Sequence, residues 1–152
     1  MELTLSDSMR QRVDQLEQAM SHTPPVDCPV RHYFAPGLYA REMSLSKGTV
    51  IVGAVHTTEN LIIVSIGMLQ IVTSDGTKVV NAGDTLTCKP GMKNAVVALE
   101  DSRWTNFFPN ADNETDTDKL AERFTTSLAC ELLGGAGSQQ LLNKQKRLKE
   151  LS

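Results

Sequence analysis

Residues 48–67, GTVIVGAVHTTENLIIVSIG, and residues 83–94, GDTLTCKPGMKN, decide how this chain is read. Thr49-Val50-Ile51-Val52, Leu61-Ile62-Ile63-Val64 and Ala95-Val96-Val97 are rich in β-branched residues, which fit the pleated surface of a sheet. Asp75-Gly76 lies between Leu69-Gln70-Ile71-Val72 and Thr77-Lys78-Val79-Val80, a pattern that predicts a hairpin with a type I′ turn. Gly67, Asn81-Ala82-Gly83-Asp84 and Pro90-Gly91 supply further turns. Short strands at this spacing, with no helix between them, predict a mainly β fold, an antiparallel sandwich or small barrel over residues 38–110.

Outward from the strands, residues 1–37 read as a helix and a connection. Ser6 is the predicted N-cap, and Met9, Val13, Leu16 and Met20 form one apolar stripe, with Arg10, Asp14 and Glu17 among the polar residues of the other faces. His22-Thr23-Pro24-Pro25 ends that helix, and Pro29 and Pro36 make the rest an extended connection laid over the barrel. Residues 111–152 read as an acidic linker and C-terminal helices. Leu120, Phe124 and Leu128 form one stripe. Gly134-Gly135-Ala136-Gly137-Ser138 then interrupts, and a final helix from Gln139 carries Leu141, Leu148 and Leu151 as a narrow apolar edge among lysines.

At 152 residues the chain suits one domain. A net charge of -3 and an aromatic content of 5% argue against a nucleic-acid surface. Cys28, Cys88 and Cys130 are odd in number and form no CxxC pair, which fits a reducing compartment. The N-terminus lacks the apolar core of a signal peptide, and Leu61–Val72 is too short and too broken to span a bilayer. The expectation is a soluble, cytoplasmically made protein with no membrane partner.

The two opening stretches share a spacing. Gly48, Ala54, His56, Asn60 and Gly67 in the first, and Gly83, Pro90, Gly91 and Asn94 in the second, stand at the intervals of the two sequence motifs of the cupin superfamily, which the middle region resembles. The second motif departs at Lys89, where those proteins carry proline. The resemblance implies a cupin-type antiparallel β-barrel, or jelly roll. A period of two puts Ala54 and His56 on one strand face, which the cupin register turns inward.

Cupins hold a metal with two histidines and a glutamate of the first motif and a histidine of the second. The corresponding positions here hold Ala54, His56, Asn60 and Asn94. Alanine binds nothing, and neutral amides are weak ligands for the metals that imidazole and carboxylate favour. The expected cofactor is therefore none. The alternative is a divalent metal on His56 and Glu59, if a bulge turns Glu59 inward, completed by His22 or His32. Without metal, His56 is expected to hydrogen-bond Asn60 or Asn94, and His56, Glu59, Asn60 and Asn94 are the candidate ligand-binding set for a small polar molecule such as a sugar. No catalytic residue is identified.

The remaining constellations have simpler readings. Asp112, Glu114, Asp116 and Asp118 fail as a calcium loop, because Thr117 and Arg123 stand where glycine and glutamate are needed, and instead cap a helix. Cys88 alternates with Leu86 and reads as a small core hydrophobe. The segment 27–42, together with Ala98-Leu99-Glu100-Asp101 and Trp104-Thr105, resembles small cupin-like proteins of tailed bacteriophages and prophages, some of which carry histidine where Asn60 stands. That resemblance implies a phage origin and leaves the role open: the expectation is a protein made in the host cytoplasm, with residence in the virion as the structural reading. Its partners would be further copies of itself, through barrel edges and the edge Leu141, Leu148 and Leu151, and other phage proteins. Three roles follow: a structural or assembly module, a small metal-dependent enzyme acting on a sugar-like molecule, or a regulator that binds a host protein.

Overall fold

The computed structural model describes residues 1–126. The predicted positions Leu128, Cys130, Leu141, Leu148 and Leu151 lie outside them. In chain order the elements are strand β1 (Glu2–Leu3), helix α1 (Asp7–Met20), and strands β2 (Val30–Ala35), β3 (Gly37–Leu45), β4 (Val50–His56) and β5 (Asn60–Ile66). There follow β6 (Met68–Thr73), β7 (Gly76–Asn81), β8 (Thr85–Cys88), β9 (Lys93–Ala98), β10 (Ser102–Asn110), helix α2 (Thr117–Phe124) and strand β11 (Thr125–Thr126).

One sheet runs β1-β8-β5-β10-β3-β2 and the other β11-β4-β9-β6-β7. Within them, β3 to β10 pair as β3-β10-β5-β8 and β4-β9-β6-β7, the strand order of a double Greek key. The fold is thus an antiparallel jelly roll of the cupin type. Only β1 joins in parallel, against β8, among the described pairings. β1, β2 and β3 all lie in the larger sheet, and from β3 onward successive strands alternate between the two sheets except at the β6–β7 hairpin.

The core lies where the inner faces meet. Met43, Ile62, Val64 and Trp104 from the larger sheet pack on Ile51, Leu69, Ile71 and Val96 from the smaller. The alternation along β10 is complete: Ser102, Trp104, Asn106, Phe108 and Asn110 are buried, and the residues between them are half-buried or exposed. A second cluster, Tyr39, Phe108, Leu120 and Phe124, joins α2 to the barrel. Asp116 caps α2 by accepting hydrogen bonds from the Asp118 and Lys119 amides, as its acidic run predicts.

Three local expectations change. The 75–76 hairpin is in place, but its loop is Ser74-Asp75 and Gly76 alone has a positive φ (98°). A type I′ turn needs positive φ at both central residues, so this turn is not one, and its left-handed residue is the glycine that closes the loop. The connection expected over 24–37 contains a paired strand, β2, because its prolines fall at positions 24, 25, 29 and 36, outside the strand's own six residues. Along α1, which begins at its predicted cap Ser6, the buried residues are Val13 and Glu17, while Leu16 stays 37% exposed. Glu17 goes under because Lys93 of β9 lies beneath it: Lys93 Nζ sits 2.9 Å from Glu17 Oε1 and 2.6 Å from Asp14 Oδ1. No described helix is long and apolar enough to cross a membrane.

Candidate functional site

The site is built from one irregular strand. Val52 pairs with Ala95 and Val55 with Lys93, so Gly53 and Ala54 together oppose Asn94, a β-bulge. Val52 and Ala95 pack on Val13 of α1, and Lys93 faces Glu17 of the same helix. The bulge resets the alternation, and the strand ends with His56 turned toward the barrel interior. Simple alternation of Ala54 with His56 misses this step.

His56 stacks on Phe108, with ring centroids 6.1 Å apart and an interplanar angle of 18°. Its Nδ1 lies 3.3 Å from the Met92 carbonyl oxygen. A carbonyl only accepts, so Nδ1 carries the proton and Nε2 is left as an acceptor. Burial, opposed by the Met92 bond and helped by the nearby Arg41 charge, brings the imidazole pKa down to about 4. His56 is neutral at neutral pH. Its partner is Met92 and not the expected Asn60 or Asn94.

The two asparagines of the motif slots are both buried, at 3% exposure. Asn60 accepts from Asn106 Nδ2 at 2.9 Å and donates to the Thr58 carbonyl at 3.1 Å. Asn94 points inward with Val96 and Ala98 and keeps its Oδ1 buried without a hydrogen-bond partner. Beside Asn60, Cys88 is fully buried, and burial pushes its thiol up to about 12, with the Asn60 hydrogen bond working the other way. Its expected role as a small core hydrophobe holds.

The structure does not bring Glu59 to His56. Asn60 opens β5 facing inward, so its neighbour Glu59 faces out, where it meets Lys89 Nζ at 3.0 Å; Lys89 also reaches Glu2 at 3.3 Å. His22 sits exposed just after α1, and His32 is engaged with Tyr39, Nδ1 to hydroxyl, at 2.6 Å. Among the described residues, no three His, Cys, Asp or Glu side chains gather as a metal site. The donor set left in the barrel is one imidazole and neutral amides, which does not fit the metal that the cupin resemblance implies.

Residues outside the two motifs complete the interior. Across the larger sheet one inward row reads His32, Arg41, Asn106 and Ile62, set by the registers of β2, β3, β10 and β5. The neighbouring row carries Phe34, Tyr39 and Phe108, whose rings stack at 5.3 and 5.8 Å. Phe124 of α2 lies on Phe108 at 4.4 Å. Arg41 and Asn106 are visible in the sequence only through the alternations Tyr39-x-Arg41-x-Met43 and Trp104-x-Asn106-x-Phe108, in which a polar residue takes a core position. A separate open cleft of about 240 Å³ by the β2–β3 turn is lined by Phe34, Pro36, Asn110 and Asn113 and carries no charged side chain.

No protein-family model matches the sequence, and no curated protein matches it. Solved structures do. A cupin superfamily protein of Desulfitobacterium hafniense is 10% identical with a TM-score of 0.49, over 58% of this chain and 82% of that one. A cupin-2 domain protein of Shewanella frigidimarina is 16% identical at 0.45, over 63% and 92%. The cupin domain of a transcriptional regulator of Enterobacter cloacae is 11% identical at 0.47, over 55% and 98%. At these identities and scores the likenesses say nothing of function, and the fold stands on its own strand order. These three solved structures, each named for a cupin protein or domain, are what the chain is similar to.

Proposed function

We propose that this chain is a non-enzymatic cupin-like module that acts by binding and assembly. The observation that carries the reading is the donor set: Ala54 lies in a bulge, Asn60 is tied to Asn106, Asn94 is an amide, and Glu59 faces solvent. What remains is a jelly roll with a polar interior in which, among the described residues, no three His, Cys, Asp or Glu side chains gather to hold a metal.

Assembly is supported by the outer face of the larger sheet. Tyr33, Ala40, Phe107 and Leu61 are in register across four strands. Tyr33 and Leu61 are 47% and 46% exposed, with Ile63 in the adjoining row at 37%. The row that holds Ile63 continues through Thr105, Glu42 and Arg31, and Glu42 lies 3.8 Å from Arg103, so apolar side chains and opposite charges share the face. Such a patch suits a second copy of itself across a two-fold axis. Light scattering tests this. We expect a dimer or higher oligomer that Leu61→Asp with Ile63→Asp dissociates; a wild-type monomer at high concentration would contradict it.

The narrower role, a component of a tailed-phage particle, rests on the resemblance of residues 27–42 and 98–105 alone. Its test is mass spectrometry of purified particles: the chain should be present in stoichiometric amount, and its absence removes the virion reading.

A further inference from the structure

We propose that the barrel interior is an anion site, in which Arg41 anchors the carboxylate of a small organic molecule and Asn94 supplies a second polar contact. The proposal deepens the binding reading above and rests on it.

Arg41 lies on the inward face of β3, between the core residues Tyr39 and Met43, and its cross-strand neighbours are Asn106 and His32. The other buried or half-buried cations have carboxylates. Lys93 has Glu17 and Asp14, Arg10 has Asp14, and Arg103 has Glu42. Arg41 has no carboxylate within ion-pair distance among the described residues. The groups that feel its charge are Tyr39, Cys28, His32 and His56. None supplies an anion at neutral pH, because burial raises the Tyr39 and Cys28 pKa values and keeps both imidazoles neutral. The side chain is half-buried, and desolvation pulls its pKa below the usual arginine value, with Tyr39 and Cys28 working the other way. Drawing a cation partly out of water without a counter-ion is costly, and an arriving anion removes that cost.

Asn94 is the independent observation. Its amide is buried, points into the same barrel from the opposite sheet, and keeps an oxygen unsatisfied. Amide oxygen and nitrogen exchange by a simple flip, so the group offers either an acceptor or a donor to a ligand. The charge selects the class. One guanidinium with two neutral histidines balances a monoanion, and the planar fork of arginine matches a carboxylate. A phosphate dianion would leave one charge uncompensated.

The test is a titration of the full-length protein, after metal analysis, with benzoate, pyruvate and gluconate, with inorganic phosphate and with glucose. Side-chain NMR signals of Arg41 Nε–H and of the Asn94 amide are followed. We expect saturable shifts with at least one carboxylate, smaller or none with phosphate and glucose, and binding weakened roughly tenfold or more in Arg41→Gln. Asn94→Leu guards against a misfolded arginine variant: it should raise the melting temperature by filling the position with an apolar side chain, yet weaken the same binding. Unchanged binding in both variants, a preference for phosphate, or no saturable response in metal-free protein overturns the anion site and leaves the binding module standing. One tightly held metal per chain overturns the reading beneath it.

Discussion

His56 is neutral because the barrel will not solvate its charge. The unfolded imidazole titrates near 6.5 and the folded one near 4, so between those values the unfolded chain binds more protons. Stability from this group is complete above 6.5 and is lost as the pH falls toward 4. The loss amounts to about 3 kcal/mol if the whole shift is realised. Urea unfolding at pH 7 and pH 5 should show a decrease in the wild type that is visibly smaller in His56→Gln; equal pH dependence in the two would contradict the burial account. Gly67 is a second residue with a definite cost. It has φ 87°, and an added Cβ would collide with the Ser102 side chain and the Asp101 carbonyl, whereas at Gly48 (φ 86°) nothing stands within 4 Å. Gly67→Ala should therefore destabilise by roughly 2 kcal/mol or more, and more than Gly48→Ala, on chemical denaturation. Asn94 runs the opposite way: because its Oδ1 is buried without a hydrogen-bond partner, Asn94→Leu should gain on the order of 1 kcal/mol.

At the scale of elements, α1 is fastened to the barrel by a charge that its sequence pattern hides. Glu17 is fully buried against Lys93, itself 2% exposed, and Asp14 closes the cluster. Burial works against the Asp14 carboxylate, yet hydrogen bonds from Lys93 and Arg10 hold its pKa below the usual value. Removing one partner strands the other, so Glu17→Ala should cost about 3–5 kcal/mol, while the double change Glu17→Leu with Lys93→Met should recover most of it. Thermal and urea melts measure both; full additivity of the single changes would show that the pair does not act as a unit. This contact was not legible in the sequence, because a glutamate among Arg12, Asp14 and Gln18 reads as a solvated face until the lysine beneath it is known. The β4 bulge was hidden for a related reason. Its signal is one extra residue against a partner strand, and pairing is not written in a single strand's pattern. The helix cap at Ser6, the acidic cap at Asp116 and the turn glycines were legible, since each satisfies a local requirement with local residues.

For the whole molecule, the motif spacing carried the topology, because turns at Gly48, Gly67, Gly83 and Gly91, all at positive φ, fix where strands begin and end. The same spacing located His56, Asn60 and Asn94 inside the barrel but not Glu59, whose side chain the alternation sends outward to Lys89. Arg41 escaped because an arginine between two large core residues is ordinarily read as a strand's exposed position; the β10 register across it, opposite Asn106, turns it inward. A jelly roll whose motif positions hold Ala54, His56, Asn60 and Asn94, with Arg41 on an inward face, is what supports the proposed reading of a binding module without metal chemistry.

The most direct test of that claim is elemental analysis of the purified chain, before and after incubation with iron, manganese, nickel and zinc salts followed by desalting. The account predicts far less than one metal per chain in every case, and the same values for His56→Ala and Glu59→Ala. One equivalent of retained metal that disappears in His56→Ala would contradict it.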